Sequence, residues 1–379
     1  MTLTATATPP TVVRRVDELL GRPVSMRAMA LLRVLVGPIA YAHVRPLATA
    51  AWDGQTYRDA FFQPYAAWYP DLPRPLYTAV LTLGLVATVA MTVGVRARAA
   101  TVVVWAVVTY HLFLSSTHVH SNRAYLVIVL TALAITPCDR ELSFDAWWRA
   151  RRGGPARPTT APGCPLWLLR FEVTVVYGAS GLSKLLDGDW FSGTVTWHRI
   201  VRSRELLLSS PLPRWAVDMI SDRSFQTFAA KAIIATELFI AVGLWSRRTR
   251  LAAVWVAVGF HVAIQLSASV EVFSYLAVAA LVIWAVPSTR DRRLVVDAAD
   301  RRQAALAGTV RAFDWLARFR VEDGPPGAPV TIVDRGGHVE QGAAAVALVA
   351  SRLPLTAWFA LPVRAVTRLV RRRRPLVPA

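Results

Sequence analysis

The chain is dominated by apolar stretches whose length matches the width of a bilayer, and this feature constrains its fold more than any other. A transmembrane helix needs roughly 20 mostly apolar residues to cross the hydrocarbon core. Stretches near this length lie at about residues 28–48, 75–94, 99–117, 122–137, 165–185, 227–245, 251–268 and 270–287. Hydrophobic residues make up 54% of the chain, which is high for a soluble protein. The sequence therefore predicts a mainly α protein, a polytopic integral membrane helical bundle of about eight spans.

The strong positive charge of the chain fits basic loops beside a membrane. The formal net charge is +19, and arginine supplies almost all of the cations. Nucleic-acid-binding proteins carry such charge without this hydropathy, so we expect the lipid bilayer as a partner and no nucleic acid.

Arginines cluster at residues 96–98, 140–157 and 247–250, in loops that fall on one side of the predicted bundle. The basic loop at residues 187–226 falls on the other side, but long loops are translocated largely regardless of charge. The positive-inside rule then predicts a multi-pass protein of the cell membrane with both termini in the cytoplasm.

The composition divides the chain into three regions. Residues 1–26 are polar and basic and are predicted to be a cytoplasmic tail. Residues 27–288 form the predicted transmembrane domain, and residues 289–379 are charged, with strand-like and helical segments of an α/β domain. Cys138 and Cys164 lack CxxC spacing and receive no predicted role.

One predicted span carries a polar stripe. Arg170, Thr174, Tyr177, Gly181 and Lys184 follow one another at alternating spacings of four and three residues, which places them on one face of a helix. A lysine inside a membrane is costly unless it faces protein or a water-filled cavity, so it is a functional candidate by default. We therefore place Lys184 at the centre of a membrane-embedded site.

The predicted topology gathers further polar residues in the outer half of the membrane with this lysine. They are His118, His120, Asn122, Glu237, His261 and Gln265. Each also has a structural interpretation. His261 and Gln265 could serve as hydrogen-bonding links between helices, and Glu237 could form an ion pair with Lys231 or Lys184.

Three other interpretations stay open near the predicted helix ends. Asn122 could cap the fourth span, and Lys184 could extend its ammonium to the headgroups. The histidines of the His118-Val-His120 sequence could ligate a metal, but without a nearby carboxylate or cysteine they predict no metal site.

The segment Gly181-Leu-Ser-Lys184-Leu-Leu-Asp187-Gly-Asp189-Trp190-Phe-Ser-Gly193 resembles the segment of vitamin K-dependent γ-carboxylases that contains the catalytic-base lysine. Over about residues 25–290, the chain resembles the horizontally transferred transmembrane (HTTM) family, to which the carboxylase membrane domain belongs. The chain departs from the carboxylases at Ser183, where they have a lysine, and by one residue inserted before Trp190. It also has no counterpart of their long lumenal domain.

The resemblance implies a quinone-coupled reaction of the carboxylase or epoxidase kind on a peptide or a small substrate. Lys184 would be the base, since desolvation favours the neutral amine, and the cofactor would be a reduced menaquinone. His120 and Asn122 would be catalytic hydrogen-bonding groups toward the quinone. The residues implied to form the substrate and cofactor cavity are Tyr177, Gly181, Asp189, Trp190, Glu237, His261 and Gln265.

The C-terminal region resembles the DCC thiol-disulfide oxidoreductases, which are thioredoxin-like domains. Asp297 lies where that family has its motif aspartate, but Asp300 and Gln303 stand at the positions of the two cysteines. Without a thiolate no disulfide exchange occurs. The resemblance implies a degenerate thioredoxin-like domain that packs or docks.

Two classes of function follow from the sequence. The first is a membrane enzyme that uses Lys184 on a lipid-borne quinone. The second is a non-catalytic partner in the maturation, export or immunity of a secreted peptide, since some HTTM-like proteins accompany peptide toxins. A buried, neutral Lys184 favours the enzyme, whereas a Lys184–Glu237 salt bridge without an adjoining cavity favours the partner.

Overall fold

The structure is a computed structural model, and it describes residues 11–55, 63–155, 157–268, 270–287, 292–334, 336–357 and 360. The chain divides into two compact units, Met1–Trp284 and Ala285–Ala379. Residues 1–10 of the predicted cytoplasmic tail and residues 361–379 of the predicted C-terminal domain lie outside the described residues.

Helices form most of the first unit. They are α1 (Thr11–Gly21), α2 (Arg27–Trp52), α3 (Arg74–Val93), α4 (Ala97–Leu114), α5 (Ser121–Ile135), α6 (Phe144–Arg151), α7 (Cys164–Leu186), α8 (Gly188–Phe191), α9 (Thr194–Arg202), α10 (Arg204–Leu208), α11 (Arg214–Ser221), α12 (Arg223–Gly243), α13 (Arg250–Ala268), α14 (Phe273–Ala280) and α15 (Val282–Ala285). A 3₁₀ turn at Ser116–His118 precedes α5. Two short strands, β1 (Pro23–Ser25) and β2 (Thr160–Pro162), pair antiparallel.

Four helices in the described part of the chain are long and apolar enough to cross a membrane, namely α2, α3, α4 and α12. The apolar helices α5, α13 and α14–α15 are shorter. Helix α7 has 23 residues but contains Arg170, Glu172 and Lys184, which lower its hydropathy. All eight predicted apolar segments are helical, and the helices support a membrane protein, while the count of eight spans stays a prediction.

A fully buried arginine links α2 to the end of α3 and to the segment after α5. Arg33 of α2 directs its guanidinium at backbone carbonyl oxygens rather than at an acid. It donates to Cys138 O at 3.2 Å, to Thr92 O at 3.2 Å and to Leu142 O at 2.5 Å, and it also donates to Met91 O. These carbonyl groups lie at the end of α3 and after α5, where helices leave such groups without intrahelical donors. Arg33 therefore stabilises the packing of three segments.

The second unit contains a four-stranded sheet and two helices. Its elements are β3 (Arg292–Val296), α16 (Arg301–Phe313), β4 (Phe319–Asp323), β5 (Thr331–Val333), β6 (Val339–Gln341) and α17 (Gly342–Ala350). The strand order is β4-β3-β5-β6, with β3 parallel to β4 and the other pairs antiparallel. Leu294, Ile332 and Val349 are buried in its core.

Candidate functional site

The candidate site lies where α7 packs closely against α12. Gly181 makes the close approach, because a methyl group at this position would lie 3.0 Å from Leu238 Cγ and 3.2 Å from Glu237 Cβ. The polar stripe predicted on α7 faces the protein, since Arg170, Tyr177 and Gly181 are all buried. The sequence pattern therefore identified the inward face of this helix.

Lys184 forms an ion pair with Glu237 across this contact. Its ammonium donates to Glu237 Oε2 at 2.8 Å and to Oε1 at 2.9 Å, and it also donates to Ser180 Oγ. The Ser180 hydroxyl in turn donates to Glu237 Oε1 at 3.0 Å. Only 16% of the Lys184 side chain and 7% of the Glu237 side chain are exposed. Glu237 therefore pairs with Lys184 and not with Lys231, and the ammonium does not extend into solvent.

A short helix covers the ion pair with an indole ring. Asp187 ends α7 and caps α8, where its carboxylate accepts from the backbone N–H groups of Asp189 at 2.9 Å and Trp190 at 3.3 Å. This turn holds Trp190 over Lys184, with the nitrogen 5.1 Å from the ring centroid, a cation–π arrangement. The Asp189 side chain is exposed, so it is Asp187 whose carboxylate shapes this loop.

Gly193, at the end of the same segment, packs directly against α12. Its backbone adopts a left-handed conformation with φ of 78°, and a Cβ atom there would lie 2.5 Å from Thr227 Cα. The Thr227 hydroxyl donates to Ser192 O at 2.8 Å. The segment that follows Lys184 is therefore fixed to the helix that carries Glu237.

A second polar pair links α7 with α13. The Tyr177 hydroxyl and His261 Nε2 are 2.6 Å apart, and both side chains are buried. His261 Nδ1 and Gln265 Oε1, one turn later on α13, are buried atoms without a hydrogen-bond partner among the described residues. The structure thus brings Tyr177 together with His261, about two turns of α7 before Lys184.

His120 and Asn122 lie at the beginning of α5. His120 is the N-cap of that helix, where its Nδ1 accepts from the backbone N–H of Asn122 at 3.3 Å. The cap is therefore His120, and the interpretation of Asn122 as the capping residue is wrong. In the described part of the chain no hydrogen bond joins either residue to Lys184. His118 stacks on His111 with ring centroids 4.2 Å apart.

Within the described ranges, no group of three histidine, cysteine or carboxylate side chains could hold a metal ion. A cavity of about 790 Å³ lies between α2, α5 and α14, and Lys184 is not among its lining residues. Sequence reasoning missed this cavity, although Pro38 and Pro46 lie on the face of α2 that lines it. Arg170, which the sequence placed on the polar stripe, is buried and donates to Ile283 O at 2.8 Å.

The residues around Lys184 do not fit the binding of a reduced quinone by a neutral amine. An ammonium has three N–H donors, and here two bind Glu237 and one binds Ser180. These contacts direct the Lys184 nitrogen at side chains of α7 and α12. The described geometry is that of a structural ion pair.

In the second unit, the positions that correspond to the two cysteines carry structural contacts. Asp300 caps α16, and Gln303 links two loops by accepting from Asp297 N at 3.0 Å and donating to Ala328 O at 2.9 Å. The N–H groups of Gly327 and Ala299 hold the pKa of the Asp297 carboxyl below its usual value. Neither Asp300 nor Gln303 carries a thiol.

The family model of the HTTM domain matches residues 21–288. This range contains α2 to α14 and therefore the whole Lys184 site. No curated protein and no solved structure matches the chain.

Proposed function

We propose, from the premise that the chain belongs to the HTTM family, that it is a non-catalytic membrane partner in the maturation, export or immunity of a secreted peptide. The observation that supports this proposal is the buried Lys184–Glu237 ion pair, which engages the Lys184 nitrogen with Glu237 and Ser180. The pair joins α7 to α12 and thereby supports the surface that would meet the peptide.

The Lys184–Glu237 pair contributes specificity of helix packing more than stability. Burying a charge is expensive, and a partner of opposite charge offsets most of that cost without necessarily adding stability. Lys184 and Glu237 would then act as a neutral unit that fixes one register of α7 on α12. Such a unit can be replaced by apolar side chains, whereas a catalytic base cannot.

The proposed function includes a specific number of spans and a specific orientation in the membrane. About eight spans would place both termini in the cytoplasm of a multi-pass cell-membrane protein, and the long segment at residues 187–226 would be external. This arrangement puts Trp190 and Gly193 on the side where a secreted peptide would be met. Labelling of single cysteines placed in residues 187–226 from outside intact cells tests this orientation.

The second unit is proposed to be a degenerate thioredoxin-like domain that packs or docks. Its parallel β3–β4 pair with α16 between the strands, followed by β5, β6 and α17, supports this fold. Because Asp300 and Gln303 are engaged as a helix cap and a loop link, we expect no redox activity from this unit.

The alternative function is a quinone-coupled enzyme of the carboxylase or epoxidase kind, with reduced menaquinone as cofactor and Lys184 as base. The buried His261 Nδ1 and Gln265 Oε1, which lack partners among the described residues, favour it because active sites retain such groups. In this alternative, membranes containing the protein convert reduced menaquinone to its epoxide, and the Lys184→Met variant does not.

The test of the proposal uses the double variant Lys184→Met/Glu237→Met in a strain that lacks the native gene. Peptides in the culture medium are compared by mass spectrometry. We expect deletion to change the amount or the mature form of a secreted peptide, and the double variant to restore the wild-type profile. Loss of function in a double variant that is present at the normal level would contradict the proposal.

A matched experiment separates the two functions. Purified protein is supplied with reduced menaquinone, oxygen and bicarbonate, and epoxide formation is measured. Conversion by the wild type that disappears in the folded Lys184→Met/Glu237→Met protein would support the enzyme and reject the non-catalytic partner. An unchanged peptide profile in the deletion strain would reject the peptide as the object of the protein's action.

A further inference from the structure

The cavity between α2 and α14 has the form of a groove with apolar walls. One face of α2, from Leu35 to Leu47, supplies the first wall, and the facing wall comes from Val272 and α14. The residues of both walls are Leu35, Pro38, Ile39, Ala42, Pro46, Leu47, Val272, Tyr275, Val278 and Ala279. Its volume of about 790 Å³ lies in the range of small-molecule sites.

The groove is as long as one leaflet is thick. Residues 35 to 47 of α2 extend over ~18 Å at the rise of an α-helix. The hydrocarbon of one leaflet is about 15 Å thick. Leu35 and Tyr275 remain 43% and 57% exposed, so the groove opens at the surface of the helical unit. In a membrane protein this surface faces lipid chains.

Charged groups collect at one end of the groove. Arg123 at the beginning of α5 donates through Nη2 to Glu271 Oε1 at 3.1 Å and through Nε to Oε2 at 3.4 Å. His43 also lines this end and interacts electrostatically with both. Arg123 and Glu271 therefore form a two-point ion pair at this end of the groove.

Two backbone features indicate a preformed polar site at this end of the groove. Glu271 has φ of 44°, a left-handed conformation that residues other than glycine rarely adopt, and strain of this kind concentrates at functional sites. Pro46 has no N–H to offer to the Ala42 carbonyl, so an acceptor without its usual intrahelical donor lies beside His43.

We propose that this groove binds one zwitterionic membrane phospholipid with a primary ammonium in its headgroup, of the phosphoethanolamine kind. An acyl chain lies between α2 and α14, the phosphate binds Arg123, and the ammonium binds Glu271. The side chains at the polar end carry one cation and one anion, and this headgroup carries the complementary pair. A headgroup with only a negative charge would be repelled by the Glu271 carboxylate. A quaternary ammonium could not donate hydrogen bonds to that carboxylate.

The test measures lipid bound to the purified full-length protein in nanodiscs that contain equal amounts of phosphatidylethanolamine, phosphatidylcholine and phosphatidylglycerol. Native mass spectrometry reports which lipid stays on the protein. We expect one phosphatidylethanolamine to be retained in preference to the others. Glu271→Gln should reduce the preference over phosphatidylcholine about tenfold, as loss of one charge-assisted hydrogen bond implies.

Two further variants keep the test independent of folding. Ala42→Phe fills the groove without touching the charged pair, and it should release the lipid while the protein stays folded. Arg204→Gln removes a comparable exposed pair with Asp218, with a distance of 2.8 Å, and should leave binding unchanged. Equal retention of the three lipids, preference for phosphatidylglycerol, or normal binding by Ala42→Phe would overturn the proposal.

Discussion

Gly193→Ala should destabilise the first unit strongly, because the new methyl group would meet a backbone that has no room to move. A Cβ atom at this position lies 2.5 Å from Thr227 Cα and 2.7 Å from Thr227 N, both in α12. The residue also has φ of 78°, a conformation that disfavours any side chain. The two effects act together, since relief of the clash requires moving Gly193 away from α12.

The magnitude follows from these two effects. A left-handed conformation costs an alanine about 1–2 kcal/mol. Overpacking of a filled interior costs about 1–3 kcal/mol more. We therefore expect the free energy of unfolding to fall by roughly 2–5 kcal/mol. Gly188→Ala is the matched control, since nothing lies within 4 Å of its Cβ position and the change should be neutral or slightly stabilising.

Thermal unfolding of the purified protein provides the assay. Cys138 is fully buried, so its reaction with a thiol-reactive dye reports opening of the bundle, and a Cys164→Ser background removes the other thiol. Gly193→Ala should lower the unfolding midpoint by several degrees relative to both wild type and Gly188→Ala. Equal midpoints for the two glycine variants would refute the packing argument.

Three further predictions follow from named contacts. Lys184→Met or Glu237→Met alone should cost about 3–5 kcal/mol, because each leaves a buried charge unpaired, while the double variant should cost much less; unfolding midpoints of the three proteins measure the coupling. Arg33→Lys should cost at least about 2 kcal/mol, because lysine cannot reach all four carbonyl groups, and the same assay measures it. The lowered pKa of Asp297 means that its contribution to stability is present above a pH of about 3.9 and is lost as the pH falls through the folded value, so the protection factor of the Gly327 amide, which corrects for the slower intrinsic exchange in acid, should fall on acidification.

Apolar periodicity predicted most of the helical fold. A run of about 20 apolar residues can cross a bilayer in few conformations other than a helix. The polar stripe on α7 marked the inward face of that helix. The ion pair between Lys184 and Glu237 was one of two pairings that the sequence left open. The choice against Lys231 depends on the rotation of α12, which the sequence does not specify.

Other parts of the site depend on contacts that have no sequence signature. Arg33 binds carbonyl oxygens, which every residue possesses, so no pattern of side chains identifies its partners. His120 was assigned to the Lys184 site because both were placed in the outer half of the membrane, but depth alone does not determine distance within the bundle. The charged end of the groove combines Arg123 on α5 with Glu271 in the turn before α14, and these two residues are far apart in sequence.

Packing alone can explain the segment that resembles the carboxylases' base segment. Gly181 lets α7 approach α12, Lys184 joins the helices by its ion pair, and Asp187 begins the turn that follows. Trp190 covers the ammonium, and Gly193 permits the left-handed contact with α12. Each of these motif residues therefore has a structural role where α7, α8 and α12 meet. The packing of α7 against α12 therefore accounts for these residues without any carboxylation.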